Sequence, residues 1–185
     1  LSSGSGWAMP QRWQALYQYL RDKGYNQQEL DASGLFKRSQ SGRIYCLFWK
    51  RVMTPIFDLR GNIIAFGGRV MDDSKPKYVN SPETLVYHKS ETVFAMQIAK
   101  RSASRRFVLC EGYMDVISMQ QAGIDTAVCA CGTALTPGQV RIISEYADEV
   151  ILSYDSDEAG QKATLRSLEL FRNSPVKVGV ADSRR

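Results

Sequence analysis

The chain has 185 residues, 44% hydrophobic and 23% charged, which fits one ordinary globular domain or two small packed ones and excludes a disordered polymer. Its apolar runs are only a few residues long, no signal-peptide pattern opens it, and four cysteines (Cys46, Cys110, Cys129, Cys131) without a C-x-x-C pair read as reduced core thiols rather than a disulfide scaffold. The net charge of +5 is unevenly placed: residues 1–106 carry 17 Lys/Arg against 8 Asp/Glu and residues 107–185 carry 7 against 11, so a basic half fit for a polyanion precedes an acidic half fit for a cation.

In chain order, residues 1–6 are Ser/Gly-rich and irregular. Trp13, Leu16, Tyr17 and Leu20 repeat at helical spacing until Gly24. After a break at 38–42, strands are predicted at 44–49, 52–57 and 63–66, with Leu59-Arg60-Gly61-Asn62 as the hairpin turn. Gly67-Gly68 follows the last strand, a basic, Pro-containing loop covers 72–89, and 91–100 reads as a helix. From Phe107 strands and helices alternate: strands at 107–110, 126–130, 150–154 and 176–180, helices at 113–121, 136–146 and 157–171, with Thr136 a cap and Pro137 in the first turn. That alternation implies a parallel sheet and divides the chain at 106/107 into a basic α+β subdomain and an α/β domain.

Two acidic motifs follow strands directly. One is Glu111-Gly112-Tyr113-Met114-Asp115, the other Asp155-Ser156-Asp157-Glu158-Ala159-Gly160. Ligands of open parallel sheets bind beyond the carboxyl ends of the strands. If the two strands are neighbours, Glu111, Asp155 and Asp157 converge there, and unneutralised carboxylates about 4 Å apart repel by about 4 kcal/mol at an effective dielectric of about 20. Oxygen-only donors favour Mg²⁺ or Mn²⁺ as the neutralising ion. Either acidic turn alone is equally a helix cap. Gly112 and Gly160 permit close backbone approach.

Glu111 to Val116, then Cys131-Gly132-Thr133-Ala134-Leu135-Thr136, then Asp155 to Gly160, resemble the TOPRIM domain of DnaG-type bacterial primases. The upstream half chooses primases over other TOPRIM proteins. Arg51-Val52-Met53-Thr54-Pro55-Ile56 resembles the primase R-I-M-F-P-I segment, Ile64-Ala65-Phe66-Gly67-Gly68-Arg69 its F-G-G-R strand, and Pro76 to Thr84 with Tyr87-His88-Lys89 its P-K-Y-x-N-S-P-E-T loop. Trp7 to Pro10 with Trp13 resembles the stretch before that subdomain. Where the family has Y-D-R-F this chain has Tyr45-Cys46-Leu47-Phe48, which replaces two polar side chains.

The resemblance implies the RNA polymerase core of a primase: a basic α+β subdomain followed by a TOPRIM-type parallel-sheet domain cut short at its C-terminus. It implies synthesis of short RNA primers on single-stranded DNA by nucleotidyl transfer from ribonucleoside triphosphates. Glu111, Asp155 and Asp157 would be the catalytic and Mg²⁺- or Mn²⁺-binding residues, with Glu111 either a ligand or a general base. Arg51, Arg69, Lys77, Tyr78, Asn80 and Lys89 would contact template or nucleotide. The family's further D-P-D motif, its zinc ribbon and its helicase-docking domain are not among these residues, so this piece alone is expected to be weakly active, with a replicative helicase partner reached through the missing part. A cytoplasmic location in a bacterial or phage-infected cell is implied, with no membrane partner. The alternatives are a non-catalytic single-strand-binding module and another TOPRIM enzyme, a nuclease or topoisomerase.

Overall fold

The computed structural model describes residues 13–132 and 134–181. The irregular opening, the Trp7 to Pro10 stretch, Thr133 and Asp182 lie outside the described residues. Among those described, no helix is long and apolar enough to cross a membrane. The described residues pack as two units: 13–56 with 63–87, and 57–62 together with those from 88 to 181.

The first unit opens with α1 (Trp13–Asp22), which turns Leu16, Tyr17 and Leu20 towards a core of Leu30, Phe36, Cys46, Phe48 and Met53. Gly24, at φ 95°, takes the left-handed conformation that ends the helix. A capping box then starts α2 (Gln27–Ala32): Glu29 donates its backbone N–H to Asn26 Oδ1 at 3.0 Å, and Asn26 donates its own to Glu29 Oε2 at 2.7 Å. Strands β1 (Phe36–Arg38) and β2 (Ile44–Cys46) pair antiparallel, with Phe36 opposite Cys46. The strand expected over 44–49 stops at Cys46 because the next residues turn, with Lys50 at a left-handed φ of 53°. A second sheet has the order β3-β4-β5, formed by β3 (Arg51–Phe57), β4 (Ile63–Val70) and β5 (Tyr78–Asn80). Gly67-Gly68 does not end β4. A Cβ at Gly68 would lie 2.7 Å from the Phe48 ring, so the glycine keeps the strand running beneath an aromatic side chain. Strand β5 lies inside the stretch expected to be loop, held by antiparallel pairing of Gly67 with Asn80 and Arg69 with Tyr78.

The β3–β4 turn is built by Asp58, whose carboxylate accepts from the backbone N–H of Arg60 (2.8 Å) and Asn62 (2.9 Å) and from the Asn62 side-chain amide (2.8 Å). Those hydrogen bonds, the side-chain one foremost, hold its carboxyl below the usual range. Gly61 supplies the φ of 94° that the turn requires.

The second unit carries the 3-10 turn Lys89–Glu91, then β6 (Val93–Phe94), α3 (Met96–Ala99), β7 (Arg106–Cys110), α4 (Tyr113–Gln121), β8 (Ala127–Ala130), α5 (Pro137–Tyr146), β9 (Glu149–Ser153), α6 (Glu158–Phe171) and β10 (Lys177–Val180). The five strands lie in the order β10-β9-β7-β8-β6, all parallel except β6. Strands β7 to β9 turn one face into a single core: Phe107, Leu109, Val128, Val150 and Leu152 join Ile143 and Phe171 there. The helix expected over 91–100 is corrected to β6 followed by the short α3. Ala95 breaks it at a left-handed φ of 63°, and Val93 and Phe94 pair with Ala130 and Cys129 instead. That pairing, with β6 at the sheet edge, is why packing divides the chain near 87/88, whereas charge and strand rhythm divide it at 106/107.

All four cysteines are buried thiols. Burial pushes Cys110 up to about 12, the Asp115 charge adding to it, and raises Cys129 well above the ordinary thiol value. At pH 8 the thiolate share of Cys110 is on the order of one in ten thousand. A thiol-specific reagent should therefore leave Cys110 and Cys129 unmodified in the native protein and react with both after denaturation; rapid labelling of either in the folded state would contradict the packing. The unfolded chain ionises at ordinary values near 9.0, so this contribution to stability is intact below that pH and is lost as pH rises from 9 towards 12.

Candidate active site

Strands β7 and β9 are direct neighbours in parallel register, with Cys110 opposite Ser153. Glu111 follows the first strand immediately and Asp155 comes two residues after the second, so both acidic turns leave the same edge of the sheet. The backbone N–H of Asp155 donates to Glu111 Oε2 at 3.1 Å, tying the two turns together. Asp157 is the N-cap of α6, and its Oδ1 accepts from the Gly160 N–H at 2.8 Å. Gln161 closes the same turn by donating to the Ser156 carbonyl at 3.0 Å. Asp115, the other acid of the first motif, accepts from the Gly112 N–H at 3.0 Å and serves as a cap for α4.

Gly160 fixes this geometry by its lack of a side chain. A Cβ there would overlap the Asp155 carbonyl oxygen and sit 2.8 Å from its carbon. The turn therefore folds back onto the first turn of α6 and can do so only over glycine. Behind it Tyr154 is partly buried, shares a 3.0 Å hydrogen bond with Ser167 and has its phenol pushed up by burial.

Glu111, Asp155 and Asp157 are all exposed, and none is in an ion pair among the described residues. Glu111 and Asp157 each have one carboxylate oxygen engaged by a backbone N–H and one left over. Among the described residues, no three His, Cys, Asp or Glu side chains converge closely enough to hold a metal ion. The structure thus brings the three residues to one edge, joins Glu111 to the Asp155 backbone, and leaves their remaining oxygens unconverged. Hard, unneutralised oxygens on adjacent turns suit a divalent cation such as Mg²⁺ in chemistry.

The basic-half candidates divide by location. Arg51 is buried, and its guanidinium donates to the carbonyls of Pro76 (2.7 Å), Lys77 (3.2 Å) and Gly68 (3.4 Å), bracing the chain that leads into β5. Arg69 and Tyr78 are cross-strand partners, and the guanidinium carbon lies 5.7 Å from the ring centroid. Lys77 Nζ lies 6.0 Å from the same ring. Asn80 shares the Arg69–Tyr78 face by strand alternation. Among the described residues, Arg69 Nε and Asn80 Oδ1 are buried without a hydrogen-bond partner, so each keeps a bond for a water or a ligand. Lys89 sits in the second unit, at the start of its 3-10 turn.

Sequence reasoning missed Gln139. It is 0% exposed and donates to the carbonyls of Lys89 and Thr92, both at 2.8 Å. Its Oε1 accepts from the Thr136 N–H at 3.0 Å and its own N–H donates to Thr136 Oγ1 at 3.2 Å. The T-x-x-Q spacing of a capping box was the available signal.

A parallel sheet with paired acidic turns beyond adjacent strands is the signature of a Toprim-like domain, and the family described as Toprim-like matches residues 108–183. The family described as "DNA primase catalytic core, N-terminal domain" matches residues 4–100. The DNA primase of Clostridium acetobutylicum is 42% identical over 169 residues, covering 91% of this chain and 28% of that protein. The zinc-binding and RNA polymerase domains of the Aquifex aeolicus primase superpose with a TM-score of 0.85 at 33% identity, over 94% of this chain and 43% of that one. A DnaG primase catalytic domain bound to ssDNA superposes with a TM-score of 0.79 at 37% identity, over 89% of this chain and 52% of that one. The chain belongs to the DNA primase catalytic-core family and spans under a third of the Clostridium relative's length.

Gly160→Ala should shift the Asp155 turn and cost about 1–3 kcal/mol of stability by denaturant titration, the usual penalty of overpacking. Asp157→Ala should cost about 1 kcal/mol through the lost cap, and Asp157→Ser should recover most of that. A Gly160→Ala protein as stable as the parent would show that the turn does not rest on that residue.

Proposed function

We propose that this chain is the catalytic core segment of a primase, which builds short RNA primers on single-stranded DNA by nucleotidyl transfer from ribonucleoside triphosphates. The observation that carries the reading is the β7–β9 register, which sets Glu111 against the Asp155 backbone at the carboxyl edge of the sheet. Glu111, Asp155 and Asp157 would hold Mg²⁺ or Mn²⁺, which when bound supplies electrostatic stabilisation of charge on the transferring phosphoryl group. The chain's own residues do the rest. Arg69 and Lys77 meet phosphates, Tyr78 offers its exposed ring to a base, and Asn80 has an unengaged carbonyl oxygen for sugar or base. Glu111, with one oxygen held by the Asp155 N–H, keeps the other for a ligand bond or for a proton from the primer 3′-hydroxyl. A replicative helicase would be a partner of the longer protein.

Single-stranded DNA should bind weakly and with strong salt dependence. Contact with three or four phosphates gives a slope of log K against log salt of about −2 to −3, which Lys77→Ala should flatten. A salt-independent affinity would leave the basic half as an ordinary solvated surface.

Primer synthesis on a single-stranded template with labelled ribonucleotides tests the reaction itself. This chain is expected to be weakly active and a version extended into the rest of the primase fully active, because misplacement of reacting groups by about 1 Å costs roughly a hundredfold. Asp155→Asn in the extended version should abolish synthesis while leaving DNA binding in place. Retained synthesis would show that the Asp155 carboxylate is not needed for the reaction, and absence of synthesis from both versions alongside intact DNA binding would favour the binding-module reading.

A further inference from the structure

A capping box needs only two hydrogen bonds, and Thr136 with Gln139 makes both. The Gln139 side chain does more. Its amide nitrogen leaves the helix and donates to two carbonyls far back in the chain, those of Lys89 and Thr92. The carbonyl between them, that of Ser90, accepts from the Thr136 hydroxyl at 2.5 Å. Gly138 makes the approach tight: a Cβ there would lie 2.8 Å from the Ser90 carbonyl oxygen. Three carbonyls of the 89–92 segment are thus fixed on the first turn of α5, a ten-residue helix anchored in the core by Val140 and Ile143.

A 3-10 turn of three residues has little rigidity of its own. Ser90 and Glu91 in this one are exposed, so apolar packing does not set its orientation. Directional hydrogen bonds from a fully buried amide do. Lys89 is a residue whose backbone that amide grips, so the grip fixes the point from which its side chain departs. A lysine whose backbone is already fixed has less freedom to lose on meeting a ligand, which is how preorganisation raises affinity.

We propose that Gln139 is a positioning residue: through the Lys89 and Thr92 carbonyls, assisted by Thr136 and Gly138, it aims Lys89 at a phosphate group. The inference rests on the reading of Lys89 as a nucleic-acid or nucleotide contact. The phosphate belongs either to single-stranded DNA or to a ribonucleoside triphosphate, and two binding arms separate these sources.

The test is a double-mutant cycle on this chain with Lys89→Ala and Gln139→Met, the latter keeping length and volume but removing both the amide donor and the acceptor. Affinity is measured for a fluorescent oligothymidylate across a salt series and for a ribonucleoside triphosphate, with the thermal midpoint recorded for each protein. In the responding arm, Gln139→Met should weaken binding about fivefold at 0.1 M salt, the equivalent of one single-strand phosphate contact. For the oligonucleotide it should also reduce the salt slope by about 0.7. Neither effect should appear in the Lys89→Ala background, because the amide acts through that lysine. A purely structural role would lower the thermal midpoint and leave the salt slope unchanged. If Gln139→Met does not fold, Gly138→Ala, whose Cβ would press on the Ser90 carbonyl oxygen, takes its place in the cycle. Additive losses, or unchanged binding in Gln139→Met where Lys89→Ala weakens it, overturn the positioning role while leaving Lys89 a contact. No effect of Lys89→Ala in either arm overturns both.

Discussion

The parallel pairing of β7 with β9 is the contact on which the rest of the second unit depends. Five residue pairs run in register from Arg106 opposite Glu149 to Cys110 opposite Ser153, and they bury Phe107, Leu109, Val150 and Leu152 on the way. A slip of one residue would turn each of these side chains to the opposite face of the sheet. The same slip would separate Glu111 from the Asp155 backbone, since their hydrogen bond spans the two strand ends. Core packing and the placement of the acidic turns are therefore one constraint.

The acidic turns themselves are held by backbone rather than by counter-charge. Glu111 rests on the Asp155 N–H, Asp157 on the Gly160 N–H and Asp115 on the Gly112 N–H. Each such bond satisfies a donor that a turn or helix start would otherwise expose. The arrangement fixes where the carboxylates begin and leaves their outer oxygens in solvent, where like charges at close range cost little. The aromatic face of the first unit follows a different logic. There a guanidinium and an ammonium lie near the Tyr78 ring, and Arg51 holds the incoming chain from beneath by its carbonyls.

The alternating half was legible because local and global signals agree there. Apolar runs mark buried strands, and Thr136, Pro137 and Asp157 mark helix starts, so the strands, the helices and the acidic turns follow from pattern, while the β7–β9 adjacency that brings the turns to one edge comes from the fold. The first half was less legible. The helix α2 is short and announced only by the Asn26–Glu29 box, and β5 exists through pairing with β4 in a stretch of loop composition. The pattern at 91–100 suits a helix, and only the left-handed turn at Ala95 and the pairing partner offered by β8 decide otherwise. Arg51 shows the limit for side chains: the resemblance implies a contact with template or nucleotide, and nothing in the sequence announces that in the fold its guanidinium braces three carbonyls. Gln139 was invisible as a bridge because its partners lie almost fifty residues upstream.

Strand β6 has a consequence for how this protein behaves in a crowded solution. A parallel sheet built from strands as apolar as β7 and β8 would offer, at an open edge, a row of unpaired N–H and C=O groups to which another chain could add itself. Here the edge is occupied by a strand only two residues long, running against the direction of its neighbours and ended at once by the left-handed Ala95. A chain attempting to extend the sheet would find too short a template to register on. The same small irregularity that defeats a helical reading of 91–100 thus guards the β8 side of the sheet against growing into its neighbours.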